Sequence, residues 1–122
     1  TANLLVDRAL ANGEMGDYQS ALDDITKVQF LVQENADLYV LKASAYRALG
    51  KYPEAMFELE KASRIEPQNR EAYLERGNLF REMGDKNGAR ENWIAYLREY
   101  PDGPAADLVR RNLENMDVRI EK

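Results

Sequence analysis

From Tyr39 to Ala62 apolar side chains return at helical spacing in two runs. Tyr39, Ala43 and Tyr46 share one helical face, as do Ala55, Leu59 and Ala62, and polar residues fill the positions between. Gly50 separates the runs, where a helix end needs a left-handed residue that glycine adopts at little cost. Glu66-Pro67 closes the second run, because proline disfavours helical geometry in the residue before it. The pattern predicts helix–turn–helix.

The same pattern recurs along the chain at a fixed period. Gly16, Gly50 and Gly84 align, as do Ala21, Ala55 and Ala89, and Ala9, Ala43 and Gly77. Leu5, Tyr39 and Tyr73 form an apolar column, Tyr18 pairs with Tyr52 while Lys86 departs, and Pro67 matches Pro101. Three units follow, at residues 2–35, 36–69 and 70–103. Asp17 and Asp85 are suited to cap the helices after their glycines, and Pro53 suits a first turn. The small columns let paired helices approach closely, with the aromatics filling space beside them.

Residues 104–118 carry Ala105, Leu108, Val109, Asn112, Leu113 and Met116 on one stripe, with Asp107 one helical turn before Arg111. This predicts a further helix that caps the third unit. Tyr96 stands where the second unit has Ala62, so it is expected to fill the space beneath that cap.

The spacing and residues resemble the tetratricopeptide repeat (TPR) family. The second unit matches through Tyr39, Ala43, Tyr46, Gly50, Tyr52, Ala55, Ala62 and Pro67. The third matches through Tyr73, Gly77, Phe80, Gly84, Ala89, Trp93 and Pro101. The first departs, with Asn12 where the family prefers an aromatic and Gln33 in place of proline. The resemblance implies an all-α fold, a right-handed α-solenoid of three TPR units with a C-terminal capping helix, in one domain over residues 1–122.

It also implies where a partner would sit, in a concave groove lined by the first helix of each unit. The columns pointing there include Val6 and Leu10, then Val40, Ser44 and Arg47, then Leu74, Asn78 and Arg81. Exposed Val6, Leu10, Val40 and Leu74 would make an apolar strip, Ser44 and Asn78 would meet a partner backbone, and Arg47 and Arg81 would favour an acidic partner residue. Repeats of this family that clamp a chaperone's C-terminal carboxylate use Lys, Asn and Arg at positions held here by Val6, Leu10, Leu41, Glu71 and Glu75. Chaperone-tail binding is therefore not expected.

Composition narrows the chemistry. The chain has 122 residues, 44% hydrophobic and 32% charged, enough for one folded domain. Its net charge is −5 with both signs interspersed, which speaks against nucleic acid as a partner. No apolar run approaches the roughly 18 residues of a membrane span. The chain starts at Thr1, which suggests a processed product or excised domain, with a cytoplasmic or bacterial periplasmic home left open.

There is no histidine and no cysteine, which removes Ser-His and Cys-His catalysis and His- or thiolate-bound metals, and no cofactor is expected. The densest carboxylates, Asp23-Asp24 and Glu54, Glu58 and Glu60, read as solvated outer faces. Arg8, Lys42 and Arg76 share a column and read as long stems over apolar surface with their charged heads in water. Tyr39, Tyr46, Tyr73, Phe80, Trp93 and Tyr96 read as core. The expected function is a non-enzymatic protein–protein interaction module, an adaptor or assembly scaffold. Self-association into a homo-oligomer, or service as the docking or regulatory domain of a larger protein, are the alternatives.

Overall fold

The structure, a computed structural model, describes residues 16–31 and 35–121. These hold six helices and no strand: α1 (Tyr18–Leu31), α2 (Ala36–Ala48), α3 (Tyr52–Ile65), α4 (Arg70–Glu82), α5 (Lys86–Glu99) and α6 (Pro104–Glu121). Val6, Leu10 and Arg8 of the first repeat lie outside the described residues. The chain forms two compact units, one up to Ala72 and one from Tyr73 on.

The turns form as the glycines require. After α2, Gly50 (φ 76°) donates to Arg47 O at 2.9 Å and Lys51 donates to Tyr46 O at 2.9 Å. After α4, Gly84 (φ 82°) donates to Arg81 O at 3.1 Å and Asp85 to Phe80 O at 2.8 Å. Both are Schellman ends, in which a left-handed residue lets the chain satisfy carbonyls the helix leaves open. Asp85 then caps α5 by accepting from Gly88 N at 2.9 Å, Asp17 accepts from Ser20 N at 3.2 Å, and Pro53 sits in the first turn of α3.

Two further caps come from asparagines at the unit boundaries. Asn35 Oδ1 accepts from Asp37 N at 2.8 Å, and Asn69 Oδ1 accepts from Ala72 N at 2.9 Å. Buried Asn69 also donates through Nδ2 to Asp37 Oδ1 and Glu66 Oε2, both at 2.9 Å. One amide thus closes α3, opens α4 and ties the start of α2. Replacing Asn69 by alanine is expected to cost roughly 1–2 kcal/mol, at the upper end for a lost cap, measured by urea denaturation.

In the first unit α2 packs against both α1 and α3. Its buried residues accordingly occupy two sides: Ala36, Tyr39, Val40 and Ala43 on one, Leu38 and Ala45 on the other. Ala21 and Ile25 of α1 form a small cluster with Leu41, and α3 contributes Ala55, Leu59 and Ala62. The second unit has the bulkier core. Trp93 and Tyr96 of α5, each 1% exposed, cluster with Ala106, Val109 and Met116 of α6. Of the aromatics expected in the core, Tyr39, Trp93 and Tyr96 are buried, and Tyr46, Tyr73 and Phe80 are half-buried.

The close approach expected at the small columns is sharpest at Gly77. A Cβ there would clash with Nε1 and Cδ1 of Trp93, so the indole lies directly over the glycine. Ala43, Ala55 and Ala89 are all fully buried.

Two details of α6 differ from the sequence expectation. Its buried stripe is centred on Ala106, Val109 and Met116, which leaves Leu108 55% exposed, because a residue one step before Val109 is turned about 100° away from it. Asp107 pairs with Arg110 at 3.2 Å, in place of Arg111, and the Arg110 guanidinium also donates to Pro101 O. That second bond to the loop selects Arg110. No described helix is long and apolar enough to cross a membrane.

Candidate functional site

On α2 the solvent-facing residues are Asp37 and Ala48, with Ser44 and Arg47 half-buried beside them. Asp37 is held by Asn69, and Arg47 in the last turn is engaged within the fold. Val40 is a correction. The sequence pattern places it in an exposed apolar strip, but it is only 6% exposed, at the edge of the side formed by Ala36 and Ala43. A helix packed on two sides has less free circumference than an amphipathic pattern with a single buried face suggests. The available side of α2 is thus small and polar.

The second unit repeats that register on α4. Leu74 and Asn78 are half-buried and Arg81 is exposed. Leu74 packs against the cluster around Trp93, and the Arg81 guanidinium lies 5.5 Å from the Trp93 ring centroid. The indole thus holds Arg81 by a cation–π contact while leaving it accessible to solvent. Glu71 and Glu82 are exposed, whereas Glu75 is buried. Val6 and Leu10, the remaining expected groove residues, lie outside the described residues.

Away from these faces the helices are joined by a polar contact that corrects two expectations. Asp24 and Glu58, read as solvated, are only 2% and 4% exposed. Glu58 Oε1 faces Lys42 Nζ at 3.8 Å and Lys61 Nζ at 3.6 Å, so the Lys42 head is paired with a carboxylate and only partly exposed. One repeat later, Arg76 Nε donates to Asn92 Oδ1 at 3.1 Å, and Asn92 Nδ2 donates to Gly88 O at 2.8 Å. Lys42 and Arg76 stand at matching positions of successive repeats, and so do Glu58 and Asn92. This is one contact in two copies, a cation on the first helix held by an acceptor on the second. The basic column was visible in sequence, and the acceptors Glu58 and Asn92 lie one helix further on in their repeats, at positions that match Asp24. Burial of these sites is tolerated because each cation finds an acceptor.

The electrostatics agree. Burial pushes the Tyr46 phenol above its ordinary pKa, and the charges of Glu58 and Glu54 add to the rise. Burial lowers the pKa of the Arg76 guanidinium, opposed by Tyr73. The neutral Tyr46 phenol is thus favoured in the fold, and its contribution to stability is present below about pH 10 and lost as pH rises through its folded-state pKa. Among the described residues no group of three or more carboxylates is placed to hold a metal ion.

A TPR-repeat family model matches residues 43–93, from the small residue of one unit to the tryptophan of the next. The matched segment is tetratricopeptide-repeat sequence. Solved TPR structures superpose over nearly the whole chain. The Sgt2 TPR domain of Aspergillus fumigatus has a TM-score of 0.84 at 25% identity, covering 98% of this chain and 79% of that one. The first TPR of Spaghetti (RPAP3), bound to the HSP90 peptide SRMEEVD, gives 0.80 at 23%, covering 95% of each chain. A third similar structure is the type III secretion translocator chaperone SycD of Yersinia enterocolitica, at 0.88 and 15% identity, covering 100% and 96%. A search of curated protein sequences finds no significant match. At these identities the likeness establishes the all-α helical-repeat fold.

Proposed function

We propose that this chain, with its TPR-like repeats, is a non-enzymatic adaptor that holds a peptide or helix of a partner protein against the exposed side of a first helix, α2 in one unit or α4 in the other. One observation carries the reading. Both α2 and α4, the first helices of their repeats, keep one side accessible, and that side presents the same register: Ser44 with Arg47 on α2, Asn78 with Arg81 on α4. Ser44 and Asn78 supply hydrogen bonds to a partner main chain, and Arg81, already oriented by Trp93, supplies a charge-assisted contact to an acidic side chain. Related folds bind such segments: the Spaghetti TPR is bound to an HSP90 peptide, and PcrH is in complex with the chaperone-binding region of PopB.

The test is a selection of random peptides displayed on phage. The wild-type chain is expected to enrich a motif. Ser44→Trp with Asn78→Trp, which fills the accessible side, should abolish that enrichment while the circular-dichroism melting curve is unchanged. Enrichment that survives the double substitution would move the site elsewhere.

The partner is not a carboxylate-terminated chaperone tail of the SRMEEVD type. Leu41 packs against Ala21 and Ile25, Glu71 is exposed and acidic, and Glu75 is buried, so these positions supply no cation for a terminal carboxylate. A fluorescent SRMEEVD peptide is expected to show no saturable anisotropy change with this chain.

A further inference from the structure

The two copies of the buried polar contact are not equally satisfied. In the second unit the planar guanidinium of Arg76 meets Asn92 within hydrogen-bond distance, and the Asn92 amide returns a bond to Gly88 O. Both ends of the Asn92 side chain are used. In the first unit the two ammonium groups face the same oxygen, Glu58 Oε1, at 3.6 and 3.8 Å, beyond a hydrogen bond. The other oxygen, Oε2, is buried and reaches no hydrogen-bond partner among the described residues. Lys61 is further drawn toward the rings of Phe57 at 4.3 Å and Tyr39 at 5.4 Å, which competes with a closer approach to the carboxylate.

A buried carboxylate with one oxygen unsatisfied is a net cost to the helix pair that encloses it, whereas a satisfied amide is not. The apolar packing does not offset the difference. The column that holds Trp93 on α5 holds Leu59 on α3, and the residue matching Tyr96 is Ala62. The second unit also lays Ala106, Val109 and Met116 of α6 against its pair. Repeat arrays have stabilities that are sums of unit and nearest-neighbour contributions, so an under-satisfied unit opens on its own.

We infer that α2 and α3 form a separately opening element, set by Glu58, that unfolds locally while α4 and α5 remain folded. The element carries Ser44 and Arg47, so its opening removes half of the accessible register on which the proposed function rests.

Native-state hydrogen exchange on the wild-type chain reads this directly and needs no partner. Buried amides of α2 and α3, such as those of Ala43, Ala45, Leu59 and Ala62, are expected to exchange about tenfold or more faster than those of Leu79, Ala89 and Trp93, the ratio a buried unsatisfied group produces. A second measurement transplants the satisfied contact through Lys42→Arg with Glu58→Asn. It should slow exchange in α2 and α3 by about tenfold and leave α4 and α5 unchanged. A single protection factor shared by all four helices, faster exchange in α4 and α5, or a folded double variant whose α2 and α3 exchange no more slowly would overturn the inference. The wild-type comparison decides by itself if the double variant does not fold.

Discussion

Replacing Tyr96 by alanine is expected to lower the unfolding free energy by roughly 3–4 kcal/mol, within the range for truncating a buried aromatic. Tyr96 is fully enclosed between Trp93 and the α6 residues Ala106, Val109 and Met116, and its ring is tilted against that of Tyr100 at 5.4 Å between centroids. Its column holds Ala62 in the preceding unit, so the large side chain is there for α6 and not for the helix pair. Removing it opens a cavity where α6 docks, and relaxation can close only part of it. Denaturant titration should show a lower midpoint, with loss of α6 helicity in advance of the main transition. An unchanged midpoint would mean that α6 is not held through Tyr96.

Gly77→Ala is expected to destabilise by about 3 kcal/mol, the upper part of the range for overpacking a core. The added methyl group would clash with the Trp93 indole nitrogen, and that indole is only 1% exposed. The repeat supplies its own control. The matching pair one unit earlier is Ala43 with Leu59, both fully buried, so alanine is tolerated there beside a smaller partner. Gly77→Ala combined with Trp93→Leu should therefore cost less than the sum of the two single changes. Simple additivity in this double-mutant cycle would show that the glycine is not there for the tryptophan.

The helix pairs, their turns and the small-to-large columns were legible in the sequence because each is local or repeats at a fixed period. Gly50 and Gly84 announce their own geometry, and Gly77 aligned with Ala43 announces a close approach. What escaped was relational. Glu58 looks like any surface carboxylate until it is set against Lys42, which lies on the preceding helix. The acceptor column changes from Asp24 to Glu58 to Asn92, so it is recognisable only as hydrogen-bonding capacity and not as one residue type. Asn35 and Asn69 were equally visible at one repeat's spacing, but reading them as caps requires knowing that a helix starts at the very next residue.

For the candidate site, the exposure expected of Val40 is not found. Val40 belongs to the side of α2 that the array itself consumes, and Arg81 lies against Trp93, a residue on the next helix. Periodicity identifies which residues share a face. It does not say how many neighbours that helix has, and among the described residues α2 packs against both α1 and α3.

The most direct test of the adaptor reading is an amide chemical-shift titration of the wild-type chain with a peptide recovered from the display selection. Shifts concentrated at Asp37, Ser44 and Ala48 on α2 and at Asn78 and Arg81 on α4 are the predicted result. Shifts confined to the outer residues of the second helices, around Phe57 or Ile94, with Ser44 and Asn78 unmoved, would contradict it.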